Sequence, residues 1–369
     1  MDTTPTVRGR GERAILVQVV DNRRPPGEAE DSLHELARLT DTVGAEVAGT
    51  ITQRRNRPTP ALFIGEGKLA DIQLACRQAK ADLVIFDNEL SPVQVNNLDL
   101  ALGVKVIDRT ELILQIFALR ARSAEAKLQV ELAQLQYLVS RIPVSARQQR
   151  FQGGIGMRGP GESPLALRNA PMRRRIRELK SKLDAAQRRR GRTRSRRRWP
   201  MVCLVGYTNA GKSTLLNALA SADAYVDDRL FATLDTKTRL VNLAPRQNAL
   251  LTDTVGFIRH LPHGLVASFR STLDVAREAD LLLVVADAGH PHVIEHLAIV
   301  DETLRDIDAD RVPSLLLLNK IDTAPARAAL PALRARYPEA IPIAARRKHG
   351  FDRLRAALSR RVPNLQPAP

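Results

Sequence analysis

The chain has 369 residues, 44% of them hydrophobic, with 57 Lys and Arg against 40 Asp and Glu, a formal charge of +17. That length allows two or three domains with full cores, and no stretch approaches the ~18 apolar residues that span a bilayer. The apolar run Ala14 to Val20 stops at Asp21, so it predicts a strand rather than a signal segment. The expected location is cytoplasmic, with a fraction peripheral to the membrane, and the expected state is a monomer. Cys76 and Cys203 have no metal-binding spacing, and Cys203, inside an apolar run, is expected to act as a small buried hydrophobe.

From residue 14 to 108, strand-like and helical runs alternate. Ile15–Val20, Leu83–Phe86 and Val104–Ile107 predict strands; Ser32–Val43 and Pro92–Leu102 predict helices. That rhythm is an α/β layer with a mostly parallel sheet. The character changes at residue 109. Leu128, Leu132, Leu135, Leu138 and Ile142 step by fours and threes, a helical seam of coiled-coil type, and Ile176, Leu179, Leu183 and Ala186 repeat it in a run starting near Met172. Between the two runs lie Gly153, Gly154, Gly156, Gly159, Pro160 and Gly161, which no helix survives. The prediction is an antiparallel helical hairpin with a Gly-rich tip, made basic by Arg147, Arg150 and Arg158. From Arg173 to Arg198 there are 14 Lys or Arg against Glu178 and Asp184. Such a block attracts polyanions, of which nucleic acid is the commonest in a cell.

From Pro200 the βα pattern returns. Met201–Val205, Leu240–Leu243, Leu250–Thr252, Leu281–Val285, Pro313–Leu318 and Ile341–Ile343 predict strands; Lys212–Ala220 and Phe351–Val362 predict helices. The fold class is therefore α/β: an N-terminal α/β domain (1–108), a long helical hairpin with a Gly-rich basic loop (109–198), a P-loop nucleotide-binding domain with a mostly parallel sheet (199–362) and a tail (363–369).

Three motifs carry the chemistry. Gly206-Tyr207-Thr208-Asn209-Ala210-Gly211-Lys212-Ser213 matches G-x-x-x-x-G-K-[ST] between a strand and a helix, the context in which inward amides and a helix N-terminus hold a β-phosphate. Lys212 is expected to bridge the β- and γ-phosphates and Ser213 to bind Mg²⁺. Asp253-Thr254-Val255-Gly256 puts a carboxylate near that metal and a side-chain-free N–H, that of Gly256, near a γ-phosphate. Asn319-Lys320-Ile321-Asp322 follows a strand. Its carboxylate can accept from guanine N1–H and the 2-amino group, donors that adenine lacks. The order of the three predicts GTP and GDP as ligands. A further Mg²⁺ ligand is expected from Phe231 to Thr238, where Thr233, Thr236 and Thr238 are all candidates. Phe257 follows Gly256 where Ras-like proteins use a water-orienting glutamine, so slow unassisted hydrolysis is expected.

These motifs, with Thr214, with Leu230-Phe231-Ala232-Thr233-Leu234-Asp235, with the loop through Arg158-Gly159-Pro160-Gly161-Glu162 and with Ile64-Gly65-Glu66-Gly67-Lys68-Leu69, resemble the HflX GTPases of the Obg–HflX group over roughly residues 13–361. The resemblance implies that Thr233 is the switch Mg²⁺ ligand. It implies a partner, the large ribosomal subunit and its rRNA, and the GTP-dependent separation of stalled ribosomes. It also places Ala344-Ala345-Arg346 at the guanine-contact motif, where the family's serine is Ala344. Ser163-Pro164-Leu165-Ala166-Leu167-Arg168-Asn169 stands where the family has T-Q-L-E-x-D-R-R, predicting a later start for the second helix. The small C-terminal domain of longer members is expected to be missing. Two other readings stay open on sequence alone: an ATP- or GTP-dependent RNA remodeller, and an RNA-binding module whose nucleotide is not turned over.

Overall fold

The structure is a computed structural model and describes residues 11–21, 26–141, 164–194, 199–220, 230–231, 234–259 and 270–362. These fall into two compact units, one within Met1–Leu119 and Lys127–Asp184, the other within Arg120–Ala126 and Ala185–Pro369.

The first unit is organised by four parallel strands, β1 (Arg13–Val20), β2 (Glu46–Arg54), β3 (Leu83–Phe86) and β4 (Lys105–Asp108), in the order β2-β1-β3-β4. β1 and β3 are central and buried on both faces, which explains their continuous apolar sequences. The helices α1 (Pro26–Val43), α2 (Glu66–Ala79) and α3 (Pro92–Leu102) make the crossovers. α3 opens on a capping box, Ser91 with Gln94, and closes on Gly103 at φ +68°. Ile15, Val17, Ile72, Val84, Phe86 and Leu98 form one buried cluster.

At the C-terminal ends of these strands the unit is held by buried charge. Asp87, just past β3, accepts from Arg109 Nη1 at 2.7 Å, Ser32 Oγ at 2.7 Å and Gln18 Nε2 at 3.0 Å. Arg109 also pairs with Glu35 at 2.5 Å. Arg109 opens α4 (Arg109–Arg120), and α5 (Ala124–Ser140) follows. Near its end Tyr137 donates to Asp108 at 2.8 Å, and Arg141 pairs with the same carboxylate while lying over the Tyr137 ring at 4.3 Å. Burial first, then the Asp108 charge, pushes the Tyr137 hydroxyl well above its usual pKa.

α5 and α6 (Pro164–Arg194) are the helical hairpin, linked by Arg175, which reaches Glu131 through two nitrogens at 2.7 and 3.0 Å. Two expectations need correction. α6 begins at Pro164 instead of near Met172. Proline is tolerated in the first helical turn, and Leu165, Ala166, Leu167 and Arg168 are good helix formers. The seam of α5 is also shifted. Its buried positions are Ala126, Gln129, Val130, Leu132 and Ala133, while Leu138 is 47% exposed. The small residues permit close approach on that face, which counting leucines could not reveal. The seam of α6 centres, as expected, on fully buried Leu179. Gly153 to Glu162 and residues 363–369 lie outside the described residues.

The second unit has a six-stranded sheet, β5 (Met201–Val205), β6 (Lys237–Ala244), β7 (Gln247–Asp253), β8 (Leu281–Asp287), β9 (Ser314–Asn319) and β10 (Ile341–Pro342), in the order β10-β9-β8-β5-β7-β6. All pairs are parallel except β6 with β7. Side chains of β5 alternate between two cores. Val202 and Leu204 join Leu215 and Leu216 of α7 (Lys212–Leu219) and Leu354 and Leu358 of α11 (Phe351–Arg361). Cys203 and Val205 join Leu273 of α8 (Arg270–Arg277) and Val300 and Leu304 of α9 (Val293–Asp306). Burial raises the Cys203 thiol pKa, consistent with a packing role. α10 (Ala324–Arg336) packs Ala326 and Leu333 on Leu318. Among the described residues no helix is long and apolar enough to cross a membrane.

The Asp87 cluster and the Arg175 pair should respond differently to truncation. Asp87→Ala leaves Arg109 with Glu35 as its remaining buried carboxylate and strips Ser32 and Gln18 of a buried acceptor, and should cost at least about 2 kcal/mol. Arg175→Ala removes a solvent-screened pair and should cost far less than Asp87→Ala. Denaturant unfolding of the two variants checks this ordering.

Candidate nucleotide site

The loop between β5 and α7 is shaped by two glycines. Gly206 sits at φ +149°, where a Cβ would press on the Val285 carbonyl, and Gly211 at φ +98°, where it would fall on the Asn319 amide. Asn209 takes φ +60°, a region asparagine tolerates. Ala210 is buried between them. α7 starts at Lys212, so its free amide end faces this loop. Lys212 is buried and donates to the carbonyls of Gly206 at 3.0 Å and Tyr207 at 2.9 Å. Burial lowers its pKa to about 8, against the opposing pull of Asp253. Thr214 lies in the first turn of α7.

Asp253 ends β7 with no exposed surface, and its carboxylate accepts from Ser213 Oγ at 2.6 Å. These hard oxygen donors at a helix N-terminus fit Mg²⁺. Thr254 donates to the Leu204 carbonyl at 2.7 Å, a structural role, and Val255 is buried. Gly256 lies against the loop. A Cβ there would come within 2.8 Å of Thr208 Cα and 3.0 Å of Lys212 Nζ. Thr208 is buried beside it, and its Oγ1 has no hydrogen-bond partner among the described residues. A charged amine, a loop of amides and an unsatisfied hydroxyl converge on one spot, as a phosphate requires.

The residues expected at the base lie on two loops. Asn319 donates to the Ala210 carbonyl at 2.8 Å and accepts from Ala345 N–H at 3.0 Å. It thereby joins the phosphate loop, β9 and the turn at Ala344-Ala345-Arg346. Both alanines are buried and Arg346 is exposed. Lys320, at φ +64°, reaches Asp287 at 2.7 Å, and Ile321 packs into the core. The Asp322 carboxylate is 3.3 Å from Arg347.

Residues 30–118 match the family model described as the N-terminal region of GTP-binding GTPases, residues 120–197 the middle region of the same proteins, and residues 201–320 the 50S ribosome-binding GTPases. A curated GTPase HflX of Caldanaerobacter subterraneus is 46% identical over 355 residues, 95% of this chain and 81% of its own length. That of Escherichia coli K12 is 46% identical over 316 residues, 85% and 74% of the two chains. The chain belongs to the HflX GTPase family. As an HflX GTPase it hydrolyses GTP. A crystal structure of an SsGBP complex with GDP has the same fold, at 26% identity and a TM-score of 0.54, over 95% of this chain and 98% of that one.

In this HflX GTPase the two nucleotide motifs are stitched together by backbone. Thr208 N–H donates to the Phe257 carbonyl at 2.8 Å and Phe257 N–H to the Gly206 carbonyl at 3.1 Å. The Phe257 side chain turns into the apolar cluster of Leu273, Val300 and Leu304. Tyr207, expected only as part of the loop, stacks on His296 of α9 at 3.7 Å and 3° and accepts from the Arg259 N–H at 3.0 Å. Arg259 is paired with Glu295 at 2.7 Å. Burial pulls the His296 pKa down to about 3, so this stack stays uncharged at neutral pH. Sequence reasoning missed Arg259, Glu295 and His296, because no short motif links residues this far apart.

Ala232 and Thr233 lie outside the described residues. The flanking Leu230, Phe231 and Leu234 are buried. Asp235 accepts from the N–H groups of Arg122 and Ser123 and from the Ser123 hydroxyl.

The Lys212 environment generates a sign-definite prediction. Above about pH 8 the free amine loses its proton, and a bound phosphate draws it back, so GDP binding should take up a growing fraction of a proton between about pH 7.5 and about pH 8.5. Affinity should fall across the same window. Calorimetry in two buffers of different ionisation enthalpy reads that uptake directly.

Proposed function

We propose that this GTPase binds the large ribosomal subunit through its rRNA and uses GTP to separate stalled ribosomes. The observation that carries the reading is the character of α6. Arg173, Arg174, Arg177, Lys180 and Lys182 are all exposed on one long helix, in a chain whose 201–320 segment matches 50S ribosome-binding GTPases. Exposed basic side chains along a helix suit a phosphate backbone better than a small ligand. We assign recognition to the N-terminal α/β domain and hairpin, 1–108 and 109–198, and switching to 199–362.

The geometry supports this site chemistry. The loop Gly206 to Gly211 and the α7 N-terminus cradle the β-phosphate. Lys212 exchanges its two carbonyl partners for phosphate oxygens. Asp322 selects guanine, with Lys320 beside it and Ala345 fixed by Asn319. Ser213 and Thr233 would hold Mg²⁺ with Asp253 behind them, and the bound ion supplies charge neutralisation on the β- and γ-phosphates. Water attacks the γ-phosphorus as the bond to the bridging oxygen breaks, giving GDP and phosphate. In this reading Gly256 N–H follows the γ-phosphate. Phe257, committed to the core, cannot orient the water, so turnover is slow until the ribosome assists.

The expected outcome is co-sedimentation with large subunits that is stronger with a non-hydrolysable GTP analogue than with GDP, and that weakens with salt. Each phosphate contact on B-DNA contributes a slope of about −0.9 in log K against log salt; replacing Arg173, Arg174 and Arg177 by Gln should flatten the dependence by a few such contacts. Rapid turnover unchanged by ribosomes, or binding insensitive to salt, contradicts the proposal.

A further inference from the structure

The phosphate loop leans on an aromatic contact that the nucleotide chemistry leaves unused. Tyr207 follows Gly206, and its ring lies flat on the His296 ring of α9, with centroids 3.7 Å apart and planes 3° apart. The two residues are 6% and 8% exposed. His290 lies against His296 as well, at 4.2 Å between ring centroids. Burial, the largest influence, pulls the His296 pKa down to about 3, so at neutral pH the imidazole serves as a neutral ring and not as an ion.

The same tyrosine reaches the segment that follows β7. Its hydroxyl accepts from Arg259 N–H at 3.0 Å, and the Arg259 guanidinium pairs with Glu295 of α9 at 2.7 Å. Two neighbouring positions of α9 therefore act on one junction, Glu295 through an ion pair and His296 through a ring. Three residues before Arg259 lies Gly256, where a Cβ would come within 2.8 Å of Thr208 Cα and 3.0 Å of Lys212 Nζ. Phe257 bonds the phosphate loop through backbone on both sides, to Thr208 N–H and the Gly206 carbonyl. The run from Gly256 to Arg259 is thus laid on the phosphate loop by backbone at Phe257 and by the Tyr207 hydroxyl at Arg259. Every one of these residues belongs to the second unit.

We propose that His296 is a positioning residue for the γ-phosphate: by stacking on Tyr207 it holds Gly256 to Arg259 on the phosphate loop, and so sets how strongly the site favours a triphosphate over a diphosphate. The inference rests on the reading of Gly256 N–H as a γ-phosphate contact. In that reading a diphosphate is held by the loop Gly206 to Gly211 and the α7 N-terminus, and its affinity depends little on the stack. A γ-phosphate contact at Gly256 needs the whole segment in place. When the fold holds the segment, binding does not have to order it. A ring that only filled space would act on diphosphate and triphosphate alike.

The test uses the full chain, titrated with GDP and with a non-hydrolysable GTP analogue. His296→Ala should lower affinity for the analogue at least about fivefold and affinity for GDP less than about twofold, the scale of one lost aromatic pair. His296→Phe keeps a ring against Tyr207 and should restore the parental ratio of the two affinities. Equal losses for both nucleotides, a parental ratio in His296→Ala, or a His296→Phe variant that behaves like His296→Ala would each overturn the inference. Should His296→Ala fail to unfold cooperatively, Glu295→Ala decides it. That change, at a half-exposed side chain, releases Arg259 from α9 and should lower the ratio in the same direction; a parental ratio there overturns the inference. Gly256→Ala separates the two levels of the argument. A parental ratio in Gly256→Ala defeats the reading of Gly256 and the inference with it, whereas a lowered ratio there beside a parental ratio in His296→Ala defeats the inference alone.

Discussion

The candidate nucleotide site depends on one buried side chain, that of Asn319. The Asn319 amide donates to the Ala210 carbonyl and accepts from Ala345 N–H. It is buried, and the space where it meets the phosphate loop exists only because Gly211 has no Cβ. A glycine at φ +98° and an asparagine at the end of β9 thus fix the distance between the loop proposed to cradle phosphate and the loop proposed to read the base. The amide is satisfied at both ends in a buried setting, where leaving either end unmade is costly. Without it, the phosphate loop, the strand end carrying Asp322 and the turn at Ala344 would be three separate pieces.

From that joint, constraint spreads through backbone into the switch. The paired bonds between Gly206, Thr208 and Phe257 extend the sheet register past the end of β5 and β7. They let Gly256 approach Lys212, while the Phe257 ring is spent on the core. The Tyr207–His296 stack and the Arg259–Glu295 pair clamp the same junction to α9. The arrangement favours a precise phosphate site over an autonomous catalyst. The position that carries a water-orienting group in a Ras-like site is here a packing residue, and under the proposed function turnover then depends on help from outside this cluster.

Much of this was legible in the sequence, for definite reasons. The strands β1, β3, β5, β8 and β9 are buried on two faces and so are nearly pure apolar runs. The phosphate and base loops use residues that few other roles demand. What stayed hidden was long-range or disguised. β2, Glu46–Arg54, is an edge strand of alternating exposure and carries no apolar run. The buried face of α5 uses Ala126, Val130 and Ala133, which a search for leucine steps passes over. Asn319 suggested a base contact, and its scaffold role needed the fold to bring Ala210 and Ala345 to it. Asp235 looked like one more residue of a nucleotide motif, yet its partners lie 112 and 113 positions away.

The claim that Asn319 joins cradle and base loop is tested most directly by GDP affinity of Asn319→Ala, measured beside a thermal unfolding curve. The account predicts a loss of at least about a hundredfold, the equivalent of two unmade buried hydrogen bonds, in a protein that still unfolds cooperatively. GDP affinity within about threefold of the parent would contradict it.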